Sequence, residues 1–269
     1  MADDTTPHPS IAAIGDRIGR LITAHIDRAF RRIMPGPNVD IHRGFVRMVT
    51  GQPHPFGNFA CMSDDPADLA TTRAAIDPLL RCQAPSAVLF TGAAPPDVED
   101  VLAGVGFARH GGMPAMAVEI DRLKPVSLPA GYDFARVASS ALRAEWGDVF
   151  ARGYELPGPV GAVFGGGIND DDRPDAPVQY FWILKSGRPV CTSLVVFDDG
   201  VAGIYGVATL PDERGRGLGA FVTAEPLRIA RRLGYRVGVL QASEAGHPVY
   251  RRLGFGEFGE VPLYVRMPA

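Results

Sequence analysis

The chain has 269 residues, 46% of them hydrophobic and 21% charged, with a formal net charge of -3 at neutral pH. That length leaves room for two domains of ordinary size, each able to bury a core. The charge gives no electrostatic reason to expect a nucleic-acid partner, and no apolar run is long enough to span a bilayer. Asp3 and Asp4 stand where a signal peptide would carry basic residues. Cys61, Cys82 and Cys191 are too few and too scattered for a disulfide framework or a metal site. The expectation is a cytoplasmic, metal-free protein that does not bind membranes.

Residues 1–9, with Pro7 and Pro9, read as a loosely held start. From Ser10 to about Met34, Ile11, Ile14, Ile18, Leu21, Ile22, Ile26, Phe30 and Ile33 recur at helical spacing, and Pro35-Gly36-Pro37 ends the run. The apolar face of this helix packs on an N-terminal core or serves as a homodimer contact. An ambiguous segment follows. Asn58 to Cys61 reads as a strand, Asp65 to Cys82 as a helix, Ala87 to Phe90 as a buried strand and Pro96 to Val105 as a helix. A last strand then runs through Met116 to Ile120. Pro125 and Pro129 mark a linker at 123–131, which divides the chain into 1–122 and 132–269.

The second part opens with a strand at Asp133 to Val137 and a helix at Ser139 to Gly153. Leu156 to Pro177 is rich in Gly, Pro and Asp and reads as an irregular loop, with a solvated acidic run at Asp170-Asp171-Asp172. Three strands follow, Val178 to Lys185, Val190 to Phe197 and Val201 to Thr209. Short turns at Ser186-Gly187 and Asp198-Asp199-Gly200 make them antiparallel neighbours. A helix spans Gly217 to Leu233, where Pro226 is expected to kink or divide it.

Between that third strand and the helix lies Thr209-Leu210-Pro211-Asp212-Glu213-Arg214-Gly215-Arg216-Gly217-Leu218-Gly219-Ala220. Free N–H groups and the positive dipole end of a helix start favour an anion there, and the glycines let backbone approach it without a Cβ in the way. Arg214 and Arg216 can fork onto phosphate oxygens. The order Arg-x-x-Gly-x-Gly, from Arg214 to Gly219, resembles the acetyl-CoA pyrophosphate loop of the GNAT superfamily of acyl-CoA N-acyltransferases. Farther on, Tyr250-Arg251-Arg252-Leu253-Gly254-Phe255 resembles that family's Tyr-x-x-x-Gly-Phe signature. Gly215 to Ala220 also fits the dinucleotide fingerprint G-x-G-x-x-G/A. Against a Rossmann-type NAD(P) enzyme, Pro211 to Arg214 intervenes after the strand, and the next strand, Arg236 to Gln241, ends without a carboxylate.

Gly106-Phe107 and Pro114 repeat the spacing of Gly254-Phe255 and Pro262, which suggests a tandem repeat. Leu102 stands where the second half has Tyr250, and nothing between residues 55 and 90 matches the glycine loop. The resemblance therefore implies an α/β (α+β) fold of two GNAT-like domains, each a mixed central sheet flanked by helices, with a degenerate first half.

By the same resemblance, acetyl-CoA is the cosubstrate. Its phosphates are expected on Arg214, Gly215, Arg216, Gly217, Leu218, Gly219 and Ala220, and its pantetheine along Val207, Ala208 and Thr209. Tyr250 is the expected general acid or sulfur hydrogen-bond donor. Ser243 stands where the family often has asparagine, as a helix cap or a cofactor contact. Residues 201–210 contain no Asp or Glu to serve as base, which leaves Glu155 and Glu244 as candidates; His247 is expected exposed at a helix start. Tyr180, Trp182 and the 154–168 loop are expected to line the acceptor site. The implied activity is direct acetyl transfer, through a tetrahedral intermediate, to a primary amine of a small molecule. An acyl-CoA-binding sensor without turnover is the non-enzymatic alternative.

Overall fold

The N-terminal apolar period forms α1 (Ile11–Ile14) and α2 (Ile18–Ile33), joined by a 3-10 turn at Gly15–Arg17. Gly15, at φ +61, interrupts what the period alone reads as one helix. Then come β1 (Val39–His42), β2 (Phe45–Val49), β3 (Asn58–Met62), α3 (Leu69–Arg81), β4 (Ser86–Phe90), α4 (Pro96–Gly104) and β5 (Ala108–Glu119). The second half holds β6 (Tyr132–Val137), α5 (Ser140–Tyr154), α6 (Gly158–Gly165), β7 (Val178–Lys185), β8 (Arg188–Asp198) and β9 (Val201–Thr209). It ends with α7 (Leu218–Arg232), β10 (Val237–Gln241), α8 (His247–Leu253) and β11 (Gly256–Arg266). The computed structural model describes residues 8–34, 36–63, 67–166, 173 and 175–268. The expected loose start up to residue 7, Pro35, Asp65 and the Asp170-Asp171-Asp172 run lie outside the described residues.

The mixed sheets expected of the two halves are joined into one sheet of order β1-β2-β3-β4-β11-β5-β10-β9-β8-β7-β6. Only β3/β4 and β9/β10 are parallel pairs; every other neighbour is antiparallel. The halves exchange their last strands. β5, from the first half, pairs with β10, while β11, from the second, pairs with β4. The two exchanged strands pair with each other from Gly256↔Ala117 to Val265↔Ala108. The segments that repeat in sequence thus lie side by side at the centre.

α2 crosses this centre rather than serving the first half alone. Ile14, Ile18 and Ile22 pack on Ala115, Ala117, Val201, Val237 and Val239. Ile26, Phe30 and Ile33 join Met48 and Phe59 to Trp146, Phe150 and Phe164. Gly19 permits the close approach, since a Cβ there would lie 2.3 Å from the Phe258 carbonyl oxygen. α7 and α8 cover the opposite face, through Leu227, Ala230, Tyr250 and Leu253 packed on Met116, Val118, Ile204 and Leu240.

Two local expectations are corrected. Residues 156–177 contain α6, whose Gly158, Gly161 and Gly165 read as loop signals in sequence. Gly161 and Gly165 serve contact, while Gly158 faces open space: a Cβ at Gly161 would lie 2.2 Å from Gly147 O, and one at Gly165 2.4 Å from Arg143 O, so α5 and α6 meet backbone to backbone. Pro226 does not divide α7, which runs from Leu218 to Arg232. The carbonyl it leaves without an N–H is that of Val222, and the buried Ser193 hydroxyl donates to it at 2.7 Å. α3 treats Pro78 in the same way, with Arg47 Nη1 donating to Ala74 O at 2.7 Å.

Candidate acyl-CoA cleft

β9 and β10 are in register only at Ala202↔Gly238 and Gly203↔Val239. Beyond Gly203, β9 continues to Thr209 held by β8 alone, so one of its edges opens into a cleft. A bulge adjusts its course where the register moves from Leu194↔Tyr205 to Thr192↔Ala208. Gly206, at φ +59, occupies the bulge, and a Cβ there would lie 2.7 Å from Trp146. In the first half, β3 and β4 stay paired to Met62↔Phe90, and no comparable gap opens between them.

The cleft widens into a cavity of about 750 Å³, within the size range of ligand pockets. Val207, Ala208 and Thr209 form one wall; Arg214, Gly215, Gly217, Leu218, Gly219 and Ala220 form one end. Gly215 and Gly217 take φ values of +76 and +81, and no side chain caps the start of α7. Its first N–H groups therefore remain available to an anion. Both arginines hold protein partners in this structure. Arg214 Nη2 donates to Gly153 O at 2.8 Å and to Glu155 at 3.1 Å, which ties the loop to the end of α5. Arg216 pairs with Glu213 at 3.2 Å. Hydrogen bonds from Lys185 and Tyr132 hold the Glu213 carboxyl below its usual range. Both guanidinium groups thus shape the loop, and Arg214, unlike Arg216, also lines the cavity.

Tyr250 lines the cavity from α8 and is 7% exposed. Burial pushes its phenol well above the ordinary range, so it is a protonated donor at neutral pH. Gly246 makes room for its ring, since a Cβ there would lie 2.8 Å from Cε2. Ser243 also lines the cavity, and its Oγ accepts from Gly246 N at 3.2 Å; it serves as the cap of the turn into α8. Glu155 caps α5 in the left-handed region with its side chain 70% exposed and paired to Arg214. Glu244 lines no part of the cavity, and His247 pairs with Glu257 at 2.9 Å near the surface.

Tyr180 and Trp182 do not line this cavity. Each is 5% exposed in the core shared by the halves, and the Tyr180 hydroxyl donates to Phe164 O at 3.1 Å. Their alternate positions on β7 face α5 and α6, which cover that side. The 154–168 stretch, expected at the acceptor site, contributes Tyr154, which is 42% exposed on the cavity; sequence reasoning missed Lys124, Pro125, Val126 and Arg252, which also line it. No local motif marks these residues; tertiary packing brings the linker onto α8, with Lys124 N donating to Leu253 O at 3.0 Å.

Residues 150–255 match the family model described as Acetyltransferase (GNAT) family. They form a GNAT domain. No curated protein matches the sequence. Among solved structures, a GCN5-related N-acetyltransferase from Kribbella flavida has 22% identity and a TM-score of 0.61 over 93% of this chain and 95% of that one. One from Sphaerobacter thermophilus has 16% identity and a TM-score of 0.58 over 98% and 95%. A tandem GNAT protein from the clavulanic acid biosynthesis pathway has 14% identity and a TM-score of 0.53 over 93% and 94%. These likenesses extend the GNAT fold over both halves. The dinucleotide reading fails on topology, because the strand before the glycine loop has an antiparallel partner in β8. Among the described residues, no group of three or more His, Cys, Asp or Glu could hold a metal ion, and no helix is long and apolar enough to cross a membrane.

Proposed function

We propose that this protein is an acetyl-CoA-dependent N-acetyltransferase that acts on a primary amine of a small molecule. The observation that carries the reading is the cleft between β9 and β10, with a glycine-lined helix start at one end and a protonated tyrosine in its wall. The residues fit the cosubstrate: an uncapped helix start suits a pyrophosphate, and the free edge of β9 suits an extended amide chain. Bound acetyl-CoA would supply the activated acetyl group.

The remaining chemistry belongs to the chain. The first turn of α7 holds negative charge through its N–H groups, and backbone along Val207 to Thr209 aligns the thioester and steadies charge on its oxygen. Tyr250 donates a hydrogen bond to the leaving sulfur, since burial keeps its phenol protonated while making it a weaker proton donor. The alternative of an acyl-CoA-binding sensor draws on one observation: Glu213 is the one carboxylate among the residues lining the cavity, and it is committed to Lys185, Tyr132 and Arg216.

Calorimetric titration with acetyl-CoA, followed by an amine screen read by release of free CoA thiol, tests the proposal. Tyr250→Phe should lower kcat by about 10- to 100-fold with acetyl-CoA affinity unchanged. Binding without turnover across the screen would support the sensor; no binding would reject both readings.

A further inference from the structure

The cleft has a second face, turned toward α2. Gly203 and Val239 form the last parallel pair before β9 and β10 part. Two residues farther along each strand, on the same face, stand Tyr205 and Gln241, one on each lip of the opening. Both are half-buried, and neither lines the cavity on the α7 side.

α2, from the first half, orients both side chains. His25 Nδ1 lies 2.7 Å from the Tyr205 hydroxyl. Its ring occupies the place of a missing side chain, since a Cβ at Gly203 would lie 2.3 Å from His25 Cε1. Gln241 Nε2 donates to Ile22 O at 2.7 Å. That bond fixes which end of the amide is nitrogen and leaves Oε1 buried without a partner. The Gln241 amide also hydrogen-bonds the Tyr205 hydroxyl, so the phenol oxygen keeps a lone pair when it donates to His25 Nδ1, the neutral tautomer with its proton on Nε2. Nearby charges are already paired, Asp27 with Arg31 and Asp198 with Arg28 and Arg32.

We propose that Tyr205 and Gln241 form the seat of the acceptor nitrogen, with His25 and the Ile22 carbonyl as positioning groups. The assignment rests on the acetyl-transfer reading of the same cleft. A neutral primary amine has two N–H donors and one lone pair. Two acceptors on opposite lips take the donors and leave the lone pair free to face a thioester lying between the strands. An alcohol offers only one such donor, and a secondary amine loses one. The unpartnered Gln241 oxygen is the feature that a bound N–H would satisfy.

The test needs no knowledge of the natural acceptor. Two conjugates of coenzyme A are compared by calorimetry: one whose sulfur carries CH2–CO–NH–butyl, and its isostere with CH2 in place of NH. The wild-type protein should bind the amide about tenfold more tightly. Tyr205→Phe and, separately, His25→Gln should cut that preference to below about threefold with acetyl-CoA affinity held within about twofold. Equal wild-type affinity for the two conjugates, or failure of either to bind where acetyl-CoA binds, overturns the inference while leaving acetyl transfer standing. Failure of acetyl-CoA itself to bind overturns both.

Discussion

His25 is wholly buried, and burial, aided by the Arg28 charge, lowers its pKa from 6.5 to about 3. Asp198 acts in the opposite direction and Arg32 in the same one, but neither outweighs desolvation. The native protein therefore holds a neutral imidazole at pH values where the unfolded chain has taken up a proton. Stability from this residue is complete above pH 6.5 and is lost as the pH falls toward about 3. Between pH 8 and pH 5 the loss should be about 2 kcal/mol. Urea unfolding at both pH values checks this: His25→Gln should flatten that part of the profile, and an equally steep fall in the variant would show that other groups carry it. Residues of this kind were not legible beforehand. Histidine at position 25 lies within an apolar period, and nothing local announces that its ring will fill the space above Gly203.

The helices with internal proline show how an element can defy its own propensity. Pro78 and Pro226 stand at the same separation in sequence as Gly106 and Gly254, so the device recurs in both halves. In α7 a hydroxyl from β8 replaces the missing N–H; in α3 a guanidinium from β2 does so. Ser193→Ala should destabilise the protein by about 1–3 kcal/mol, because the buried Val222 carbonyl loses its donor. In a Pro226→Ala background the helix regains its own N–H, and the same substitution should cost under about 1 kcal/mol. Equal costs in the two backgrounds, measured by denaturant titration, would reject this account. The sequence pattern had shown the period of α7 and the conflict at Pro226, but the resolution lies on another strand. α6 is the converse case: its Gly161 and Gly165 counted against a helix locally and were present for contact with α5.

At the scale of the molecule, the exchange of β5 and β11 makes each half depend on the other. β10 has β5 as its outer partner, and Ala242 N donates to Pro114 O at 2.9 Å. The linker then supplies Lys124, Pro125 and Val126 to the cavity wall. A fragment of residues 132–269 would leave the outer edge of β10 unpaired and β11 without β4 or β5. It should fail to bind acetyl-CoA as a monomer, and co-expression with residues 1–131 should restore binding. Size-exclusion chromatography with calorimetry makes the comparison. A monomeric fragment with intact affinity would show that β11 folds back onto β10 and that the exchange is dispensable.

What the sequence determined by itself is written in short range. The glycine loop at 214–220 and Tyr250 before Gly254-Phe255 depend on backbone freedom and residue order over a few positions, and they stand together around one cavity. The strands at 178–209 were equally legible, because alternation and tight turns are local. Only the tertiary structure decided which strands share an edge, why β9 opens while β3 stays closed, and that Tyr180 and Trp182 are core. It also brought His25 to Gly203 and turned Arg214 toward Gly153. The physical reason is that sheet register and close packing are set by contacts between residues far apart in the chain. Two similar halves could complete their sheets with either final strand, and residue order alone does not distinguish those pairings.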